Sequence, residues 1–273
     1  MESKRVLYVS QEIHPFLPEN AISKPSLVLP KKMNEKGHQV RVFMPRYGLI
    51  NERRHQLHEV IRLSGINIII NDMDQPLIIK VASIPQARMQ VYFIDNDEFF
   101  KRKATFYSAD GQFFNDNDQR AVFFCRGVVE TVKKLGWAPD IVHCHGWMAS
   151  FLPLYIKQFH HDDPLFAESK LVMSVYDHKN EKLPDTITDT LSFDGVADDE
   201  VQTYQNVSIN DLYENAFRHV DGIILNQSSQ IEPKLKEMAN NHVTNLLELN
   251  GEEDYVDRVR SFYELVAQEE PVV

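Results

Sequence analysis

Two runs decide the fold. Lys4 to Phe16 reads Lys-Arg-Val-Leu-Tyr-Val-Ser-Gln-Glu-Ile-His-Pro-Phe. Leu27 to Gly48 reads Leu-Val-Leu-Pro-Lys-Lys-Met-Asn-Glu-Lys-Gly-His-Gln-Val-Arg-Val-Phe-Met-Pro-Arg-Tyr-Gly. Val6 to Val9 is short, apolar and β-branched, as a strand buried on both faces requires. Ser23 can cap a helix whose first turn tolerates Pro25, and Gly37 is placed to end it. Val40 to Met44 is the next strand. This is a βαβ unit, so it predicts a parallel sheet with a right-handed crossover.

The chain continues in the same alternation. Leu57 to Leu63, Ile66 to Ile70, Pro76 to Ala82 and Met89 to Ile94 read as short strands, with turns at Gly65, Asn71-Asp72 and Pro85-Gln86. No helix separates them, so they predict β-hairpins inserted at about 57–94. Asp118 to Leu135 is the strongest helical pattern, with Asp118 as its cap, Gly136 as its stop and Ala121, Cys125, Val128, Val132 and Leu135 on one face. Strands follow at Leu171 to Val175, Val220 to Leu225 and Leu246 to Leu249. Helices are expected at Asn210 to Phe217, after Ser228 and Ser229 through Met238 with Pro233 in the first turn, and at Glu252 to Val266. Asn180 to Gln205 carries little pattern and reads as loop with a small helix. The prediction is an α/β fold spanning residues 1–273 as a single domain, with one Rossmann-like, doubly wound, mostly parallel sheet.

Composition bounds the function. The 273 residues are 43% hydrophobic and 25% charged, ordinary for a globular chain. Net charge is −11, with acids dispersed (Asp95 to Glu98, Asp198 to Glu200, Glu252 to Asp254), which argues against nucleic acid and anionic membrane as partners. The two cysteines, Cys125 and Cys144, form neither a disulfide framework nor a metal motif. A charged N-terminus running into the first strand, and no long apolar run, place the chain in the cytoplasm as an expectation.

The opening stretch resembles the family-5 glycosyltransferases, the bacterial glycogen synthases and plant starch synthases. Val9, Ser10, Glu12, Pro15, Phe16, Leu29, Pro30, Gly37, His38, Val40, Arg41, Val42, Pro45, Arg46, Tyr47 and Gly48 match its pattern without a gap. Val91-Tyr-Phe-Ile-Asp95 matches further on, as do Pro139, Asp140, His143, His145 and Trp147, in a stretch that the family resemblance implies is a strand running into a helix. The resemblance implies one half of a GT-B fold, and α-1,4-glucan synthesis from ADP-glucose. It also implies an aromatic acceptor-glucan loop near Phe106, Tyr107, Phe113 and Phe114, whose plainer reading is packing beneath a long loop.

Several positions depart from that pattern. Pro18 stands where the family has a phosphate-binding Lys, and Asn20 and Ala21 where it has two glycines. Gly146 and Met148 replace its Asp and His. Tyr176 and Asp177 replace a His-Asn pair whose His contacts the transferred glucose. Without the loop glycines and Lys, backbone N–H groups and positive charge are not offered to a phosphate. No stretch after Asn226 reads as a second, donor-binding domain. The chain is therefore expected to be non-catalytic alone, a glucan-binding or regulatory module; the alternatives are activity only with a separate donor subunit, or a Rossmann-like small-molecule binder.

The candidate crevice residues are Glu12, His14, His143, His145, Tyr176 and Asp177, with the two strand histidines on one side of the sheet. Glu12 reads first as an acceptor of loop N–H groups. No metal site and no cofactor are expected. The expected ligands are an α-glucan or a sugar nucleotide. A protein partner or second copy is expected on the face that a second domain would cover.

Overall fold

The computed structural model describes residues 3–242 and 245–268; the ends of the expected 1–273 span and positions 243–244 lie outside the described residues. In chain order the elements are β1 (Arg5–Ser10), α1 (Pro25–Glu35), β2 (Gln39–Pro45), α2 (Glu52–His55), β3 (His58–Glu59), β4 (Ile66–Ile70), β5 (Met73–Ile84), β6 (Met89–Asp95), α3 (Asp97–Phe100) and α4 (Asn117–Leu135). There follow β7 (Ile141–His145), α5 (Phe151–Phe159), β8 (Lys170–Val175), α6 (Ile187–Phe193), α7 (Asp198–Gln202), α8 (Ile209–Phe217), β9 (Gly222–Asn226), α9 (Pro233–His242), β10 (Leu246–Leu249) and α10 (Tyr255–Gln268).

The main sheet runs β10-β9-β8-β7-β1-β2-β6-β5-β3, with β4 paired to β5. From β10 to β6 every pair is parallel. β5 joins β6 antiparallel, so the hairpin insertion extends the sheet at one edge. The β4–β5 turn uses Asn71 and Asp72, both at positive φ (47° and 62°), the geometry of a tight two-residue hairpin. β1 and β7 are adjacent, and the chain leaves them in opposite directions. That makes the switch point of a doubly wound sheet, where ligand crevices open at the strand ends. Right-handed crossovers put α1 on one face, where α10 packs against it; α4, α5 and α8 cover the other.

The central strands are apolar because both faces are covered: Val6, Leu7, Val9, Ile141, Val142, Leu171 and Val172 are fully buried. Gly48 is required by proximity, since a Cβ there would lie 2.1 Å from the Lys101 carbonyl oxygen. Two expected caps are corrected. Ser23 does not cap α1: its hydroxyl donates to Pro18 O (2.8 Å) and accepts from Asn20 N–H (2.9 Å). Asp118 lies inside the first turn of α4 with Asp116 at the cap position, and its carboxylate accepts from the Thr186 hydroxyl at 2.7 Å. The low-pattern stretch 180–205 holds two short helices, α6 and α7.

Candidate functional site

A cleft opens beyond the carboxyl ends of β1, β7 and β8. It is lined by Gln11, Glu12, Asn20, Ala21, Ile22, Phe106, Tyr107, Trp147, Asp177, His178, Lys179 and Ile209. Of the six predicted site residues, Glu12 and Asp177 are here.

Glu12 lies two residues past the end of β1. Its carboxylate accepts from the side-chain amides of Asn20 and, at 3.4 Å, Gln11, in place of the expected backbone donors. Burial raises its pKa above the usual carboxylate range, and those two hydrogen bonds only partly offset this. Asn20 faces both ways. Its Oδ1 accepts from the N–H groups of Ile22 (2.9 Å) and Ser23 (2.7 Å). Amides that could receive an anion ahead of a helix are thus engaged within the loop. Pro18 adds neither N–H nor charge.

His143, His145 and Tyr176 are corrected as crevice-facing residues: they are 0%, 1% and 2% exposed. The alternation of β7 does put both imidazoles on one side, but that side is roofed by α10. His143 Nδ1 meets the Tyr263 hydroxyl (2.6 Å) and its Nε2 the Ser174 hydroxyl (2.8 Å). His145 Nδ1 meets the Tyr176 hydroxyl at 2.7 Å. Desolvation pushes His145 down to about 3 and His143 well below the ordinary imidazole range, so both are neutral. His14 lies outside the cleft lining; its backbone N–H donates to Ser23 O at 3.0 Å.

The imidazole that does line the cleft is His178. Its Nδ1 donates to the Tyr176 carbonyl (2.9 Å), and its Nε2 is buried without a hydrogen-bond partner. The opposite wall is aromatic. Phe106 packs on Trp147 at 5.0 Å between centroids, Phe113 on Trp147 at 5.7 Å, and Tyr107 on Phe113 at 5.5 Å. Lys179 is the one lysine or arginine among the described lining residues, and its ammonium pairs with Glu181. The site therefore offers flat apolar rings, two carboxylates and one already paired cation. That set suits neutral hydroxylated rings better than a diphosphate.

Sequence reasoning missed His178, because register alone does not say how the chain leaves β8. Trp147, in the strand-end motif, carried a usable signal: an aromatic immediately past a switch-point strand.

The family model of the starch synthase catalytic domain matches residues 5–226. The chain belongs to that family. The glycogen synthase of Chlorobium phaeobacteroides (strain DSM 266 / SMG 266 / 2430) is 34% identical over 258 residues, covering 92% of this chain and 48% of that protein. The glycogen synthase of Chlorobium limicola (strain DSM 245 / NBRC 103803 / 6330) is 39% identical over 173 residues, 63% of this chain and 35% of that protein. The solved catalytic domain of starch synthase IV from Arabidopsis thaliana, bound to ADP and acarbose, superposes with a TM-score of 0.73 at 16% identity. It covers 93% of this chain and 53% of that one, and at such identity the likeness is one of fold. The chain spans half or less of the length of these glycogen synthases. Among the described residues, no helix is long and apolar enough to cross a membrane.

Proposed function

We propose that this chain serves the glucan side of a glycogen- or starch-synthase-like system. It binds an α-glucan in the cleft and does not by itself transfer glucose from ADP-glucose. The observation that carries this reading is the engagement of the loop amides by Asn20 Oδ1, with Pro18 and Glu12 beside it. Departure of a nucleoside diphosphate needs donors and positive charge aimed at the developing anion. Here the amides of Ile22 and Ser23 are taken, and Glu12 adds negative charge.

The aromatic wall supports the glucan. Sugar rings present apolar faces that stack on the half-buried Tyr107, while their hydroxyls find Glu12 and Asp177. The test is calorimetric titration of the purified chain with maltoheptaose, ADP and ADP-glucose, followed by a primer-extension assay. Binding of maltoheptaose without the nucleotides is the expected result. Tight ADP-glucose binding, or elongation of a primer by the isolated chain, overturns the reading.

A further inference from the structure

Arg120, in the first turn of α4, is a fully buried guanidinium without a carboxylate partner. Desolvation pushes it down to about 10, which still leaves it charged at neutral pH. A buried charge costs free energy unless its donors are used, so what those donors hold is informative. Nε donates to Phe99 O (2.8 Å), and Nη1 to Thr105 O (2.7 Å) and to Asn117 Oδ1 (2.5 Å). Asn117 in turn donates through Nδ2 to Phe106 O at 3.0 Å. The rings of Phe100 and Phe114, each 5.4 Å away, and Tyr47, at 5.8 Å, surround the cation.

These contacts converge on one strip of chain. The carbonyls of Thr105 and Phe106 are successive acceptors, one held by Arg120 and the other by the Asn117 side chain that Arg120 fixes. The next residues are those of the aromatic wall: Phe106 on Trp147, and Tyr107 at the cleft. Beyond them the loop is a small hairpin closed by Phe114 N–H to Phe106 O (3.0 Å) and Ser108 N–H to Gln112 O (2.9 Å). That hairpin has no helix or long strand of its own. Its placement relative to the sheet depends on what grips its base.

We propose that Arg120 is a positioning residue for the cleft. Acting with Asn117, it fixes residues 105–107 from behind, so that Phe106 stays packed on Trp147 and the half-buried Tyr107 is held at the cleft. The role in glucan affinity rests on the reading of the cleft given above; the grip on the loop does not. A lysine keeps the charge but lacks the planar fork, and so cannot hold Phe99, Thr105 and Asn117 together.

The test compares Arg120→Met, Arg120→Lys and Asn117→Ala with the parent chain, in a Trp137→Phe background so that emission reports Trp147. Amide exchange is followed at residues 101–114 and, as control, in β1 and β7. We expect Arg120→Met to speed exchange in the loop at least tenfold with the control strands unchanged, shift Trp147 emission to the red, and weaken maltoheptaose binding by about tenfold. Arg120→Lys should recover part of each effect. Asn117→Ala, which leaves the buried charge in place, should move all three in the same direction by less. If Arg120→Met does not fold, the other two variants decide. Unchanged loop exchange in folded variants, or a loosened loop with unchanged maltoheptaose affinity, overturns the proposal. Should the parent chain not bind maltoheptaose, the glucan reading falls, and exchange and emission alone decide the grip of Arg120 on the loop.

Discussion

Gly146 follows β7 with φ +84°, a backbone region that side-chain-bearing residues rarely adopt. A Cβ there would sit 2.3 Å from Gln11 Oε1, and that oxygen accepts the Met148 N–H at 3.4 Å. The Asp implied by the family resemblance at this position is therefore not a simple restoration. Gln11 already fills the space. We expect Gly146→Asp to destabilise the chain by about 2–4 kcal/mol, from backbone strain and overpacking together, read as a lower urea midpoint. In a double-mutant cycle, Gly146→Ala with Gln11→Ala should cost less than the sum of the single changes, because removing the amide relieves the clash. Strict additivity would show that Gln11 is not the obstacle. Asn20 is a second such residue. Asn20→Ala frees the amides of Ile22 and Ser23, at a cost of about 1 kcal/mol by analogy with a lost helix cap. It also removes a donor that holds Glu12 down, so the Glu12 carboxyl should titrate at higher pH than in the parent chain, as followed by carboxyl NMR. An unmoved Glu12 titration would contradict the contact.

At the scale of elements, α10 shows what the chain's local pattern could and could not tell. Its apolar positions Val259, Phe262 and Val266 were readable from periodicity, and they are buried. The register of β7 likewise placed His143 and His145 on one side. What covers that side depends on a helix over a hundred residues later, and no local pattern encodes that. Tyr263, on the same helix, supplies the hydroxyl that His143 meets and also donates to Tyr8 Oη at 3.2 Å. The parallel strands and the strand-end location of the cleft were legible because burial on both faces leaves a mark in composition; in the insertion, Ile66 to Ile70, Pro76 to Ala82 and Met89 to Ile94 fall on strands, but Leu57 to Leu63 holds only the exposed His58–Glu59 and a turn. The place of Asp118, the roofed histidines and the grip of Arg120 were not, since each depends on contacts distant in sequence; Ser23 misled for a local reason, its hydroxyl being taken up by Pro18 and Asn20 in the loop before α1. Tyr263→Phe should cost about 1–3 kcal/mol, because it strands buried polar atoms of His143 and Tyr8 while keeping the ring. Amide exchange in α10 should rise before that in β1. Near-neutral stability on this substitution would mean that the hydroxyl adds nothing to the docking of α10. Gly222 sets the same interface by absence: a Cβ there would meet Phe262 Cζ at 2.8 Å and Val266 Cγ2 at 2.9 Å.

At the scale of the whole molecule, the buried titratable groups oppose one another, and their balance sets the response to acid. His143 and His145 are held neutral by burial, His145 down to about 3. In the unfolded chain they take up protons near their ordinary value of 6.5. Below that pH the unfolded state binds more protons than the folded one, so stability falls as pH falls, and for His145 the loss continues towards about 3. Asp118 works in the other direction. Burial raises it to about 6 from 3.8, so between those values the folded state keeps a proton that the unfolded state has released. Its contribution makes the chain more stable as pH falls through about 6. Glu12, also raised by burial, adds in that same sense. Urea midpoints measured from pH 7.5 to 4.5 should therefore separate the two groups by slope. His145→Gln should flatten the loss below pH 6, and Asp118→Asn should steepen it, each by up to about 1.4 kcal/mol per pH unit, the linkage of one proton. Both signs matter. If Asp118→Asn flattened the profile, its carboxylate would be stabilised by the first turn of α4 more than it is penalised by burial, and the contact with Thr186 would outweigh desolvation. If His145→Gln left the slope unchanged, the imidazole would be taking up its proton inside the fold, which a side chain 1% exposed beneath α10 does not permit.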